Sequence, residues 1–407
     1  MSSGTEPVEP AGHTGAASES SDGRLSRNVR VLGLSSLIND IAGEMIFPLL
    51  PLFFTEVLGA GKAALGAVEG VADTTASIVK LFSGSLSDRS GKRKTFVVTG
   101  YTLAAVTRPL IGLATMPWQI FFIRSGDRLG KGIRAAPRDA MIADSTPESR
   151  RGWAFGFTRA MDHLGAAIGP LLAFAFLWAW PDQLRALFLL AAIPGLAVVL
   201  LVVFGLREPP LETQAGKEFH LTLKPFGRNF RIYLLAIVIF TLGNSSDAFL
   251  LVRVNELGVS KTLLPLVWCA FHVVKSTGSL AAGWAVDRVG AKPLLLIGWL
   301  IYALIYLAFS VATSPIEGWT FFLLYGAFHA LTEPAERTMV ASLVGAQHKG
   351  LAYGWFNFAI GIAALPASLI FGVLYEIYGG PVAFGYSAVL AAAAAVLMGG
   401  VRTSRNA

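Results

Sequence analysis

The sequence predicts an all-α membrane protein in which twelve transmembrane helices form two pseudo-symmetric six-helix bundles. Three observations lead to this fold class. The chain carries little charge, its apolar segments are long enough to cross a bilayer, and its second half repeats motifs of its first half.

Charge content places most of the chain in lipid. Of the 407 residues, 54% are hydrophobic and 14% are charged, whereas about 25% of the residues of a soluble protein are charged. So few charges cannot cover a water-exposed surface of this size. The net charge of +7 does not indicate nucleic acid as a partner, because the basic residues lie at the ends of the apolar segments and inside them.

Hydropathy divides the chain into twelve segments, since a helix crosses the hydrocarbon core with about 20 apolar residues. In the first half these are 31–57, 63–86, 95–115, 118–144, 152–178 and 184–206. In the second half they are 231–256, 262–286, 293–313, 317–345, 350–376 and 381–401. We therefore expect four parts: a disordered cytoplasmic tail over 1–30, an N-terminal six-helix bundle over 31–206, a cytoplasmic interdomain loop over 207–230 and a C-terminal six-helix bundle over 231–407.

The distribution of Lys and Arg predicts the orientation. With the N-terminus in the cytoplasm, the cytoplasmic tails and loops hold 19 of these residues, and the opposite loops hold 3, namely Lys62, Arg185 and Lys261. Cytoplasmic loops carry the excess of Lys and Arg in membrane proteins. We therefore expect a multi-pass protein of the cell (inner) membrane with both termini cytoplasmic.

An internal repeat relates the two halves. The run GSLSDRSGKR at residues 84–93 recurs as GWAVDRVGAK at 283–292, at an offset of 199. The run RGWAFG at 151–156 recurs as KGLAYG at 349–354, at an offset of 198. Matching offsets indicate a duplicated six-helix unit.

The first of these motifs resembles the signature of the major facilitator superfamily in the loop between helices 2 and 3, and the resemblance covers essentially the whole ordered chain. A glycine at 84 allows two helices to approach closely, and one at 91 permits a tight turn. By this resemblance the motif and its copy stabilise the closed cytoplasmic gate of the outward-open state. The gating residues are Gly84, Asp88, Arg89, Gly91, Arg93, Gly283, Asp287 and Arg288.

Three further motifs resemble those of twelve-helix drug:proton antiporter-like prokaryotic exporters. Helix 1 ends in Pro48-Leu-Leu-Pro51, and helix 4 carries Arg128 three residues before Lys131, which replaces the usual amide. Helix 5 contains Gly165, Gly169 and Pro170, although Ala173 and Phe174 replace the closing glycine pair of the exporter signature. The sequence DRLGKGIRAAPRD at 127–139 also resembles a prokaryotic subgroup of the superfamily, which does not specify a substrate.

Charged residues inside the predicted helices are the main candidates for mechanism, because each costs about 2.5–3.5 kcal/mol at the bilayer centre unless it is paired or faces water. Arg124, Arg128, Lys131 and Arg138 recur on one face of helix 4. A carboxylate whose surroundings alternate between apolar and cationic can load and release a proton. The candidates for proton coupling or substrate binding are Asp40, Glu44, Glu69, Asp73, Arg124, Asp127, Arg128, Lys131, Arg134 and Asp162.

Each candidate also has a structural interpretation. Ion pairs that only hold helices together explain Arg124, Asp127 and Arg159, whereas Asp40, Glu44 and Arg128 fit a functional role better. His163 and His329 are interpreted as packing residues rather than proton relays. The aromatic residues Trp268, Phe271, Trp355 and Phe358 are interpreted as packing rather than as a solute site.

The resulting hypothesis is a secondary active transporter that uses protons as coupling ion for efflux (antiport) of a small organic solute or drug-like compound by alternating access. The alternative is proton-coupled uptake or exchange of an organic anion, suggested by the basic face of helix 4. No enzyme motif occurs in a suitable context, and we expect no cofactor. Cys269 is the only cysteine, so we expect no metal cluster built on cysteine. The expected partners are the solute, protons and the lipid bilayer, and the protein is expected to be a monomer.

Overall fold

A computed structural model describes residues 25–147, 151–208, 222–344 and 349–402, and within these ranges every regular element is helical. A π-helical turn over Phe53–Val57 and a 3-10 turn over Ile111–Leu113 extend two of the helices. The α-helices are α1 (Arg27–Glu44), α2 (Leu50–Leu52), α3 (Lys62–Ser90), α4 (Arg93–Leu110), α5 (Pro117–Asp144), α6 (Arg151–Ala179), α7 (Leu184–Leu190), α8 (Ala192–Gly205), α9 (Arg228–Gly243), α10 (Asp247–Glu256), α11 (Leu264–Val289), α12 (Ala291–Val311), α13 (Pro315–Ser342), α14 (Lys349–Tyr378) and α15 (Gly380–Gly399).

The first predicted segment begins earlier than expected and is interrupted. Helix α1 starts at Arg27, inside the predicted tail, because the Ser26 side chain caps it by accepting a 3.3 Å hydrogen bond from Val29 N. It ends at Glu44, and a turn that contains Pro48 separates it from α2. Proline has no N–H to continue the helical hydrogen bonds.

Two more predicted segments are divided. The segment 184–206 breaks between α7 and α8, where Pro194 cannot donate to the carbonyl of Leu190. The segment 231–256 breaks between α9 and α10 at residues 244–246. Ser246 then caps α10, since its side chain accepts from Ala248 N at 3.3 Å.

In the described ranges, seven helical stretches are long and apolar enough to cross a membrane, fewer than the twelve that hydropathy predicts. They are Arg93–Leu113, Trp153–Ala179, Leu184–Gly205, Arg228–Glu256, Ala291–Val311, Leu351–Tyr378 and Gly380–Gly399. Helix α5 is as long as these, but its segment 124–134 contains five charged residues, counting Arg124 and Arg134 at its ends. Many large apolar side chains on the seven stretches face outward, including Trp178, Phe204 and Val396. Such a surface is suited to lipid contact.

The residues before and after the segment 209–221 form two halves, which meet where α3 packs on α14 and α6 packs on α11. At one end of this contact the Lys62 ammonium lies 2.6 Å from Glu256, and Ala63 N donates to Glu376 at 2.8 Å. Lys261 pairs with Asp182 at the same end. We call this the closed end.

Candidate solute-binding cavity

A cavity of about 740 Å³ lies between the halves, beyond the closed end. We call it the central cavity. Its first-half wall carries Glu69, Asp73, Lys80, Arg128 and Lys131. Its second-half wall is formed by α9, α10, α13 and α14, and the polar side chains there include Asn244, Ser245, Ser246, Asp247, Tyr325, His329, Glu336 and Asn357.

The central cavity extends toward the end of the bundle opposite the closed end. Gly84, Ala136, Glu336 and Tyr353 line it there, and they come from the later parts of α3, α5 and α13 and from the early part of α14. Helices α3 and α14 are in contact near the middle of both, where Thr74 Oγ1 donates to the carbonyl of Gly361 at 2.7 Å.

A smaller space of about 230 Å³ adjoins the first half. We call it the side recess. It contains most of the charged residues singled out in the sequence: its charged lining residues are Asp40, Glu44, Arg108, Arg124, Asp127, Arg128, Lys131, Arg134 and Asp247. Phe47 and Trp268 also line it, and their ring centroids are 4.9 Å apart.

Part of this charge is neutralised inside the first half. The guanidinium of Arg124 binds both carboxylate oxygens of Glu69, at 2.9 and 3.0 Å. Asp127 accepts from Arg108 Nε at 2.8 Å and lies 3.4 Å from Arg124. Arg108 also donates to the carbonyl of Asn39 at 2.7 Å. These pairs are buried, and their geometry agrees with the structural interpretation of Arg124 and Asp127.

The two acids of α1 have different surroundings. Asp40 accepts from the Asn39 side chain at 2.9 Å, and Glu44 accepts a 2.6 Å hydrogen bond from Trp268 Nε1. Among the residues that the structure describes, no Lys or Arg forms an ion pair with either acid. Since Trp268 lies on α11, the Glu44 hydrogen bond joins the two halves.

The cations of α5 also differ in their ion pairs and in their exposure. Arg128 lies 3.5 Å from Asp73, whose side chain is 41% exposed. Lys131 is exposed and forms no ion pair with a described carboxylate. Arg134 is buried, with its guanidinium 4.7 Å from the centre of the Tyr101 ring. Lys131 is therefore the cation of this group that is most available to a ligand.

Helix α6 approaches α1 through the glycines of its motif. A Cβ atom at Gly165 would lie 2.8 Å from Asp40 Cβ, and one at Gly169 would lie 3.0 Å from Glu44 Cβ. Pro170 follows inside the same helix. Asp162, one turn before, lies 3.6 Å from Arg138 and 3.5 Å from Arg159. The motif thus determines how closely α6 packs behind the two acids of α1.

Comparison with known proteins is consistent with this architecture. The sequence matches the profile of the Major Facilitator Superfamily over residues 32–260 and 233–406. The chain belongs to the major facilitator superfamily. It is 32% identical to an uncharacterized MFS-type transporter of Methanocaldococcus jannaschii, over 93% of this chain and 95% of the relative. It is 25% identical to the multidrug resistance protein MdtG of Citrobacter koseri, over 81% of this chain and 83% of that protein.

Solved structures share the major facilitator fold. A nucleoside transporter, NupG, superposes with a TM-score of 0.78 at 15% identity and covers 91% of this chain and 99% of its own. A bacterial homologue of the lysosomal transporter Spinster, in an inward-facing and occupied conformation, superposes with a TM-score of 0.74 at 16% identity, over 93% of this chain and 96% of its own. At these identities the likeness concerns the fold.

The superfamily loop motif lies at the end of the bundle opposite the closed end. Gly91 ends α3 with a left-handed φ of 64°, as a tight turn requires. A Cβ at Gly84 would lie 3.2 Å from Ala136 Cβ on α5, so α3 and α5 approach closely there. Arg93 pairs with Asp144, and Arg89 is exposed.

The copy of the motif is packed more loosely. A Cβ at Gly283 would meet no atom within 4 Å, and the Arg288 guanidinium lies 3.9 Å from the centre of the Trp284 ring. The side chains of Asp88 and Asp287 lie outside the described residues.

Several residues that line the two spaces are not site candidates in the sequence, among them Arg108 and Asp247. Arg108 connects α4 to α1 and α5, because it donates to Asn39 and to Asp127. Asp247 lies inside the predicted segment 231–256, at the start of α10. The run Gly243-Asn244-Ser245-Ser246 was the available signal, since such residues favour turns and helix caps.

Proposed function

We propose that this major facilitator protein is a secondary active transporter that exports a small organic solute or drug-like compound in exchange for protons, by alternating access. It crosses the cell (inner) membrane twelve times, as two pseudo-symmetric six-helix bundles, with both termini in the cytoplasm. It acts as a monomer, without enzymatic activity.

The observation that carries the proposal is the environment of Glu44. This acid lines the side recess, has no ion-pair partner among the described residues and is held at 2.6 Å by Trp268 of the other half. When the halves separate at this level, Glu44 loses that donor and gains access to water. A carboxylate whose surroundings change in this way binds protons with different affinity in the two states, and this difference is what couples a proton gradient to the movement. Asp40, one helical turn earlier, is the second coupling group.

Orientation and direction follow from the charge distribution and the motifs. In the proposed topology the closed end faces outward, so the central cavity is reached from the cytoplasm. This is the state in which an exporter loads its solute. The glycines at 165 and 169 resemble the exporter signature of helix 5, and relatives at 25–26% identity are named multidrug resistance proteins.

We assign the superfamily loop motif to the gate. In the outward-open state, Asp88, Arg89 and Arg93 with their copy at Asp287 and Arg288 would hold the cytoplasmic ends together. Asp88→Asn then reduces transport severalfold at a normal level of protein in the membrane, whereas wild-type turnover in this variant would contradict the assignment.

A second candidate function is proton-coupled uptake or exchange of an organic anion. It is favoured by Lys131 and Arg128, which face both the central cavity and the side recess. If this function is correct, Lys131→Gln weakens the apparent affinity for the anion and leaves proton coupling intact.

The experiment that tests the proposal measures a solute panel in everted and right-side-out vesicles with an imposed pH gradient. Uptake into everted vesicles that are acidic inside, abolished by a protonophore, would support proton-coupled export. Glu44→Gln should abolish gradient-driven accumulation and retain solute exchange, because exchange needs no net proton movement. Accumulation in right-side-out vesicles only, or full gradient-driven transport in the double variant Asp40→Asn, Glu44→Gln, would overturn the proposal.

A further inference from the structure

The break between α9 and α10 creates a polar site on the second-half wall. Asn244, Ser245 and Ser246 are not helical, and Asp247 is the first residue of α10. All four line the central cavity, and Asp247 also lines the side recess. The break therefore presents side-chain oxygens to the space between the halves.

Two of these residues have fewer polar partners than such groups usually have: Asp247 has one neutral donor and Ser245 has none among the described residues. Asp247 Oδ1 accepts a 2.6 Å hydrogen bond from the Tyr325 hydroxyl, but no cationic side chain among the described residues pairs with this carboxylate. Lys275 of the same half pairs instead with Glu333, at 3.5 Å. Ser245 is 5% exposed, and its hydroxyl oxygen is buried without a hydrogen-bond partner. Buried polar groups of this kind are rare unless a ligand or water completes them.

Two acids of the first half, Glu69 and Asp127, are neutralised by neighbouring cations, in contrast to Asp247. Glu69 is bound by Arg124 and Asp127 by Arg108. Asp247 has only a tyrosine hydroxyl and its place at the start of α10 to stabilise its carboxylate, and each of these is weaker than a direct pair with a cation. The carboxylate lines the cavity without a paired cation among the described residues.

The opposite wall carries the complementary charge. Lys131 lines the same two spaces and has no ion-pair partner among the described residues, and Arg128 beside it has only the distant contact with Asp73. The central cavity is thus bordered by Asp247 of the second half and Lys131 of the first half, and neither has an ion-pair partner among the described residues.

We propose that Asp247, Ser245 and Tyr325 form a subsite for the ammonium group of a dipolar organic solute, whose anionic group binds to Lys131 and Arg128. The solute is then a zwitterion that bridges the two halves. Neither half alone provides partners for both of its charges. The ring of Tyr325 is held in place by stacking on the buried Phe271, with ring centroids 5.7 Å apart. This inference rests on the proposed function, because it concerns the solute of that transporter.

Equilibrium binding to the purified full-length protein tests it without any gradient. The probes are the dipolar series β-alanine, γ-aminobutyrate and ε-aminohexanoate, with hexanoate and hexylammonium as matched single-charge controls, each in sodium and in choline chloride. The readout is the ligand-dependent rise in Tm. We expect one dipolar probe to bind wild type about tenfold more tightly than hexanoate or hexylammonium, since two charge contacts replace one.

Single substitutions test separately the subsite for the ammonium group and the subsite for the anionic group. Asp247→Asn should lower the affinity for the dipolar probe to that for hexanoate, and Lys131→Gln should lower it to that for hexylammonium. Glu317→Gln is the matched control and should change nothing, since it removes a carboxylate of the same half outside the cavity lining and keeps an oxygen for the N–H groups of Thr313 and Ser314. If Asp247→Asn does not fold, Ser245→Ala provides the test, with a severalfold loss for the dipolar probe and none for hexanoate.

Several outcomes would overturn the inference. They are no binding of any dipolar probe, equal affinity for ε-aminohexanoate and hexanoate, and dipolar binding that survives Asp247→Asn. A rise in Tm caused by sodium alone and lost in Asp247→Asn would assign the site to an inorganic cation instead. Dipolar binding that persists when gradient-driven export is absent would refute the proposed coupling and leave this inference intact.

Discussion

Trp268 Nε1 donates a 2.6 Å hydrogen bond to Glu44 Oε2, and the two residues lie on opposite halves of the protein. The Trp268 ring is buried and packs on Phe47 of the first half and on Phe271 of its own helix, with centroid distances of 4.9 and 5.1 Å. The protonation of Glu44 and the contact between the halves are therefore linked through one donor and one acceptor.

Replacing Trp268 by Phe tests this link. Phenylalanine keeps an aromatic ring but has no N–H, and a hydrogen bond to a charged group contributes about 1.5–3 kcal/mol. We expect the conformation described here to lose population by about tenfold or more relative to the opposite conformation. Distances between spin labels on the two halves measure this shift. Unchanged distance distributions would show that the hydrogen bond does not hold the halves together.

For the buried pair of Arg124 and Glu69, removing one partner should destabilise the protein more than removing both. Arg124→Gln leaves the Glu69 carboxylate without its cation, and breaking a buried pair in this way costs about 3–5 kcal/mol. We expect this variant to be largely lost from the detergent-soluble monodisperse fraction. The double variant Arg124→Met, Glu69→Met should recover most of the protein, because no charge is left unpaired. A double variant no better than Arg124→Gln would contradict this explanation.

Gly169 should tolerate no side chain. A Cβ there would lie 2.8 Å from the carbonyl oxygen of Ile41 and 3.0 Å from Glu44 Cβ, so α6 would have to move away from α1. We expect Gly169→Ala to lower the free energy of unfolding by about 1–3 kcal/mol, as overpacked cores do, and to lower Tm. Gly156→Ala on the same helix is the control, since a Cβ there meets nothing within 4 Å and alanine favours helix formation. Equal effects of the two substitutions would exclude the close approach as the cause.

We expect Glu256 to contribute more than Asp182 to keeping the two halves together at the closed end. Glu256 pairs with Lys62 at 2.6 Å and accepts from the Tyr375 hydroxyl at 2.5 Å, and its side chain is 34% exposed. Asp182, which pairs with Lys261, is 74% exposed, and pairs this exposed contribute about 0.2–1 kcal/mol or less. We expect Glu256→Gln to increase the reactivity of a cysteine at Ala63 severalfold, in a Cys269→Ser background, and Asp182→Asn to change it little. A larger increase in reactivity with Asp182→Asn than with Glu256→Gln would contradict this prediction.

The sequence predicts those features of the cavity that depend on residues close together in the chain. The turn at Gly91 is a local property, because a left-handed φ of 64° favours glycine whatever packs around it. The recurrence of Arg124, Arg128 and Lys131 on one face of α5 follows from the helical period, and these three residues do line the side recess. The break before Asp247 is also local, but hydropathy alone does not register it, since the segment is apolar on both sides.

The sequence by itself determined that the chain is an all-helical membrane protein with charges inside its helices, because hydropathy and helical period are read from neighbouring residues. Only the tertiary structure decided how those charges are distributed. Arg124 neutralises Glu69, which is 55 positions away, and Trp268 holds Glu44, which is 224 positions away. Lys131 and Asp247 are left without ion-pair partners in the described part of the chain. The physical reason is that each ion pair depends on which helices pack side by side, and no local pattern specifies that.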